Sequence, residues 1–205
     1  MVMRRIVLLL LVMMAVVSVQ AQKEEEGKWS LIPFVGINSS NMSGCDALSD
    51  DGGKVKAKGK IGLTAGLAAE YRYMQPLSTT LGVSYSRGGY RYTEQVRMRA
   101  HLDFLNLTAL ENLYIADGLA LKTGVQVDYL LGGKYKYDNG SEELGRSFKR
   151  WNAVIPVGIS YEYQHFMLDF RYNFGLTDLC NLPLAHDAWR SKSFVLSLGY
   201  RLHLN

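Results

Sequence analysis

Residues 61–73 alternate strictly: Ile61, Leu63, Ala65, Leu67, Ala69, Tyr71 and Tyr73 take one set of positions, and Gly62, Thr64, Gly66, Ala68, Glu70 and Arg72 the other. A period of two predicts a strand with one apolar face. The pattern returns at 119–131, 151–163, 166–176 and 194–204, and in shorter form at 31–37 and 77–85. An eighth strand falls within 101–115. There Leu105, Leu107, Ala109 and Leu113 share a face with Glu111, a conflict that a bulge or register change would resolve. Eight is an even number, which lets a barrel begin and end on the same side.

A 13-residue strand reaches roughly 40 Å at about 3.3 Å per residue, and a tilt near 45° brings that to about 30 Å of height. That height matches the hydrocarbon of a bilayer. It also exceeds the globular norm of about 5 to 6 residues, which disfavours a β-sandwich.

Side-chain size decides which face points inward. Gly36, Gly62, Gly66, Gly82, Gly124, Gly158, Gly175 and Gly199 all fall on the polar face with Ser and Thr, whereas Leu, Phe and Tyr crowd the other. An eight-stranded barrel has only enough interior for its side chains to fill, so the small residues belong inside. The expected fold is therefore all-β, a single eight-stranded antiparallel up-and-down transmembrane β-barrel with a polar lumen. Glu70, Arg72, Lys122, Asp128, Glu162, Asp169, Arg171 and Arg201 then point into that lumen, four acids and four bases that should pair in a poorly hydrated bore. His203 is expected to join them. An aromatic girdle is expected at each interface, with Trp29, Tyr71, Tyr73, Tyr161, Tyr163 and Tyr200 at one and Tyr85, Tyr129 and Trp151 at the other.

Residues 1–21 read as an export signal: Arg4 and Arg5, an apolar core over 6–17, and a small-residue site before Gln22. The apolar run is too short for a membrane helix. A charged lead-in occupies 22–28 and is expected to be disordered, and the barrel domain takes 29–205. Of 23 basic and 19 acidic residues, two bases leave with the signal, so the mature charge is close to balanced. No basic cluster points to nucleic acid.

Connections alternate in length. Met74-Gln75-Pro76, Ala116-Asp117-Gly118 and Gln164-His165 are tight turns, while about 39–60, 86–100, 132–150 and 177–192 are long. Short periplasmic turns and long external loops are the outer-membrane arrangement, with any partner meeting the loops. Closure of the barrel makes the first and fourth loops neighbours, so Cys45 and Cys180 are candidates for a disulfide, with two unpaired thiols as the alternative. His101, Ser86 and Glu94 near the second loop, and His186 with Asp187 on the fourth, are the polar sets that a catalytic rim would draw on, and such residues are ordinary in loops. No metal-ligand spacing, phosphate loop or nucleotide fingerprint is present, so neither an enzyme nor a cofactor is expected.

Several of these segments resemble a known family. Gly36-Ile37-Asn38, Leu81-Gly82-Val83-Ser84-Tyr85, residues 124–128, residues 169–178 and Leu196-Ser197-Leu198-Gly199-Tyr200-Arg201 look like the PorT-like outer-membrane β-barrel proteins of Bacteroidetes, over nearly all of the mature chain. The most specific part is Arg171-Tyr172-x-x-Gly175-Leu176-x-Asp178. The chain departs from the family at Phe104-Leu105, where an Ile-Pro pair is usual, and in closing on Leu202-His203-Leu204-Asn205 instead of an aromatic residue. The resemblance implies a porin-family barrel in the outer-membrane lipid, with links in some members to envelope or secretion proteins.

Three functions remain open on the sequence. The first is a structural or interaction barrel with a plugged, salt-bridged lumen, working through its external loops or within an envelope or secretion assembly. The second is a narrow pore for small solutes. The third is a soluble lipocalin-like lipid-binding barrel, suggested by Gly27-Lys28-Trp29. Eight strands favour the first, because aqueous channels belong to barrels of about 16 to 18 strands.

Overall fold

The computed structural model describes residues 28–44, 47–48, 54–55, 57–92, 98–137, 140–143, 148–180 and 189–204. Its strands are β1 (Lys28–Ser43), β2 (Ala47–Leu48), β3 (Lys54–Val55), β4 (Lys58–Met74), β5 (Leu77–Arg91), β6 (Arg99–Ala116), β7 (Leu119–Tyr137), β8 (Gly140–Glu143), β9 (Trp151–Tyr163), β10 (Phe166–Gly175), β11 (Arg190–Tyr200) and β12 (Leu202–Leu204). The eight long strands pair antiparallel with their neighbours, and β1 pairs with both β4 and β11. The barrel is therefore closed.

The eighth wall is β11 and β12 together. Phe34 faces Gly199 and Trp29 faces Leu204 in one continuous register, broken opposite Ile32 and Pro33. Proline has no amide to donate, so a gap in the ladder belongs there. Two-residue turns at Gln75-Pro76, Asp117-Gly118 and Gln164-His165 join the walls at the lower end, as the sequence predicts. Gly118 has φ of 70°, and a Cβ there would sit 2.2 Å from the Glu162 carbonyl oxygen, so that turn requires glycine.

The apolar side chains face outward. Leu67 is 41% exposed, Val127 39% and Phe170 44%, in a belt that includes Val35, Leu63, Leu107, Val157 and Leu196. Ser30, Asn38, Thr64, Ser78, Asn106, Gln126, Asn152 and Ser197 are buried on the inner face. This is the reverse of a soluble lipid-binding barrel. Trp29, Tyr73, Tyr161, Tyr163 and Tyr200 mark the turn end of the belt. Tyr85, Tyr129 and Trp151 mark the other, joined in one row through the partners Leu105 and Tyr129. Trp29 rests against Tyr71, and Tyr129 against Trp151, with ring centroids 4.8 and 4.7 Å apart.

Glu111 does face lipid, where it accepts hydrogen bonds from Thr79 Oγ1 and Tyr73 OH. The register of β6 against β7 shifts between Asp103 and Phe104 and again between Tyr114 and Ala116, leaving Leu131 outside the first ladder.

Two expectations need correction. The walls do not stop at the upper girdle: β1 runs to Ser43, β5 to Arg91 and β7 to Tyr137, and β6 starts at Arg99, so much of the first three expected loops is strand. Above the girdle the polarity of the faces is exchanged. Met42, Tyr90, Tyr92, Ala100, Leu102, Leu130, Phe148 and Leu179 turn inward and make an apolar core, while Arg87, Arg91, Arg99, Lys134 and Lys136 turn outward. Here the outside meets water and the burial rule returns to its soluble form. The lumen is also not polar throughout. Ile32 is fully buried inside it with Phe34, Ala68 and Met167, in space that glycines leave open: a Cβ on Gly66 would stand 2.8 Å from the Phe34 ring, and one on Gly199 2.9 Å from Ile32.

Candidate functional site

The lumen is filled in layers. Nearest the turns, Arg201 from the last wall lies between two acids, with Nη2 donating to Glu70 Oε2 at 3.0 Å and Nε 2.7 Å from Glu162 Oε1. The second contact is close enough for an ion pair but is not aligned as a hydrogen bond. Glu70 also accepts from Tyr114 OH at 2.6 Å and Ser78 Oγ at 2.7 Å. Asn112 donates to Ser78 and Thr80, and Arg72 lies 4.0 Å above the Tyr114 ring. With Glu70 1% exposed and Arg201 3%, this layer admits no bulk water.

The middle layer is a second ion cluster. Lys122 Nζ stands 3.0 Å from Asp169 Oδ2, and Arg171 Nε donates to Asp169 Oδ1 at 2.6 Å. Lys122 also approaches Met167 Sδ at 3.5 Å. Above it, Asp128 departs from the expectation of pairing with a base. Its carboxylate is held by three amides: Asn106 Nδ2 and Gln126 Nε2 donate to Oδ1, both at 2.6 Å, and Asn152 Nδ2 donates to Oδ2 at 3.0 Å. Those amides sit on β6, β7 and β9, so the contacts tie three walls together. Charge-assisted bonds of this kind are the strong ones.

Between these layers remain two small voids, of about 70 Å³ and about 30 Å³, and Arg171 borders both. Each is large enough for one or a few waters. The apolar core at Tyr90, Leu102 and Phe148 lies over the upper one.

His203 is exposed below these layers, its ring edge-on to His165 at 5.8 Å. Ser86 and His101 do not meet: Ser86 donates to Asn106 in the lumen, and His101 Nδ1 lies 2.6 Å from Lys60 Nζ at the rim. Glu94, His186 and Asp187 lie outside the described residues, as do Cys45 and residues 1–27, so the disulfide, the leader and most of the lead-in have no structural counterpart here.

Asp178 emerges with a role of its own. Its Oδ1 accepts from the Cys180 amide at 3.0 Å and the Trp189 amide at 2.8 Å, which closes the base of the fourth outer connection. These two amides, with Lys149 nearby, hold the carboxyl below its usual range. The Arg171 to Asp178 segment thus has a physical reading: Arg171 serves the lumen, Gly175 leaves space for Ser191, and Asp178 secures the loop.

The rim also carries a groove of about 1050 Å³ lined from β5, β6, β7, β8 and residues 148–150, which takes in Leu130 and Phe148 of the apolar core as well as the exposed Arg87, Lys134 and Lys136. Arg87 Nε donates to Asp103 Oδ1 at 2.7 Å, Tyr85 OH donates to the same oxygen at 2.6 Å, and Arg150 Nη1 donates to Tyr129 OH at 3.1 Å.

The sequence matches the family model described as outer membrane protein beta-barrel domain over residues 20–181. No curated protein matches the chain. Among solved structures, the chain is similar to Ail, the attachment invasion locus protein of Yersinia pestis, in complex with the heparin analogue sucrose octasulfate. The TM-score is 0.52 and the identity 18%, over 87% of this chain and 100% of that one. It is also similar to Neisserial surface protein A, with a TM-score of 0.50 and 12% identity over 86% of this chain and 100% of that one. Identities this low speak for the shared barrel.

Proposed function

The chain belongs to the outer membrane protein beta-barrel domain family, and from that premise we propose that it is a plugged barrel that works through its outer surface, as a structural or interaction element of the envelope. The observation that carries this reading is the filled bore. A permeating ion would have to part Lys122 from Asp169 and Arg201 from Glu70, then pass the apolar core around Tyr90. Each step exposes a buried charge that has lost its partner, at a cost of about 3 to 5 kcal/mol.

The rigid walls that rise above the upper girdle suit the presentation of a surface to other molecules. The resemblance of residues 169–178 to PorT-like proteins supports a place in an envelope or secretion assembly. Export through cleavage before Gln22 and a Cys45–Cys180 bridge complete the proposal. Sequencing of the mature N-terminus and labelling of thiols in unreduced protein test them.

Single-channel recording in planar bilayers tests the reading as a whole. Protein shown to be folded by its heat-dependent gel shift should give no conductance. Steady unitary currents would replace the plug with the pore.

A further inference from the structure

Between the two girdles the outward face is apolar except at one point. Among the described residues Glu111 is the only charged side chain there, exposed on β6 among Leu, Val, Ala and Thr. Its Oε1 accepts from Thr79 Oγ1 at 2.6 Å and its Oε2 from Tyr73 OH at 3.0 Å. No base lies in ion-pair contact with it among the described residues. An ionised carboxylate offers about four acceptor sites, so these two bonds leave about half of them unused.

The register fixes how deep Glu111 lies. Trp29 faces Tyr71, Tyr71 faces Thr79, Thr79 faces Glu111, and Glu111 faces Thr123. The same row continues through Val157, Tyr172 and Phe194 and returns to β1 at Ser39, ten residues nearer the outer end than Trp29. Ten residues at about 3.3 Å and a tilt near 45° make about 23 Å of height, gained in eight steps of about 3 Å each. Glu111 is three steps along, so it stands about 9 Å above Trp29 and within the hydrocarbon.

A charge on the lipid face destabilises a barrel, and an ionisable group within the membrane marks a functional contact. The wall leaves room for a partner: Thr79 and Thr123 flank Glu111 in the row and Ala109 lies two residues above it, all of them small. A guanidinium suits the carboxylate best, since its planar fork meets both oxygens and sheds water more readily than an ammonium does. A second copy of the chain brings no such group, because its outward positions between the girdles hold no base among the described residues. A headgroup ammonium lies near the level of Trp29, about 9 Å too low. We propose that Glu111 receives an arginine presented at the same depth by a different membrane-spanning protein of the envelope, with Thr79, Ala109 and Thr123 as its seat. The proposal gives the interaction barrel described above a partner chemistry and rests on that reading; conductance bears on the lumen alone, so the two fail separately.

The test uses full-length folded protein in phosphatidylcholine nanodiscs, with methyl-labelled Ala and Thr and with dodecylguanidinium as the probe. Dodecyltrimethylammonium carries the same charge and chain but has no N–H donors. The guanidinium should shift the methyls of Thr79, Ala109 and Thr123 to saturation, and the trimethylammonium should not. Glu111→Gln, checked for folding by its heat-dependent gel shift, should bind the guanidinium about tenfold or more weakly. Thr123→Leu, which fills the seat and keeps the carboxylate, should weaken it as well. Equal response to the two amphiphiles, or unchanged affinity in either variant, would overturn the site. Loss of guanidinium binding when phosphatidylethanolamine replaces part of the phosphatidylcholine would assign the site to lipid and overturn a protein partner. In native membranes, Val125→p-benzoylphenylalanine places a photo-cross-linker on the exposed neighbouring position of β7. It should capture an arginine-bearing membrane strand or helix of another protein, and adding Glu111→Gln should abolish the capture. Cross-links that persist without Glu111, or that reach only lipid or a second copy, would overturn the proposal.

Discussion

Replacing Arg201 with methionine isolates the energetic core of the lower lumen. The substitution keeps an unbranched chain in the layer but removes the only side chain that contacts both Glu70 and Glu162 among the described residues. Glu70 would keep its bonds from Tyr114 and Ser78, yet its carboxylate, 1% exposed, would stand without the guanidinium that balances its charge. Stranding buried charge in this way costs about 3 to 5 kcal/mol. For a barrel of this size that corresponds to a fall of about 6 to 20 °C in melting temperature. The triple variant Arg201→Met/Glu70→Gln/Glu162→Gln removes all three charges at similar volume. It should recover most of the loss, because a neutral replacement of a buried ion cluster costs little. Melting of the heat-modifiable band in lipid vesicles measures both. A single variant within about 1 kcal/mol of the parent, or a triple variant no better than the single, would refute the view that the cluster is dry and mutually dependent.

Further outcomes follow from the same geometry. Gly158→Val should abolish assembly, because its Cβ would lie 2.4 Å from the Phe170 carbonyl oxygen and the β9–β10 ladder cannot open; recovery of the folded band would contradict the tight inner face. The hydrogen bonds to Asp178 depress its carboxyl, so they are present above the unfolded value near 3.8 and are lost as pH falls through the lower folded one. Amide exchange at Cys180 and Trp189 should accelerate over that range in the parent and already be fast in Asp178→Ala. Lys60 should titrate near 8 when followed by NMR at its Cε. Because its folded value lies below the unfolded one, the rim should gain stability as pH rises through 8, and Lys136→Gln should move the titration upward.

The transmembrane part of this fold is written in the sequence with little ambiguity. From Leu67 and Glu70 through Val127 and Asp128 to Phe170 and Arg171, greasy and polar residues alternate because lipid and lumen make opposite demands on adjacent positions. Residues 31–35 form an unbroken apolar run in which alternation is silent, so Ile32 and Phe34 could be placed inside only once Gly66 and Gly199 were seen opposite them. The upper walls escaped for a related reason. Tyr90, Leu102 and Leu130 continue the strands, but water replaces lipid outside them, and a change in which face is apolar reads like the end of a strand. Leu131 adds a shift of phase at the same height. The charges of the lumen were visible one by one, whereas their pairing was not. That Asp128 meets Asn106, Gln126 and Asn152 instead of a base depends on barrel register, which no local pattern encodes.

The direction in which the two faces point can be measured without altering the chain. In lipid nanodiscs, nuclear Overhauser transfer from acyl-chain protons should reach the methyls of Leu67 and Val127 and the ring of Phe170, and should miss the methyls of Ala68 and Met167. Transfer to Ala68 and Met167 with none to Leu67, Val127 and Phe170 would contradict the account at its base.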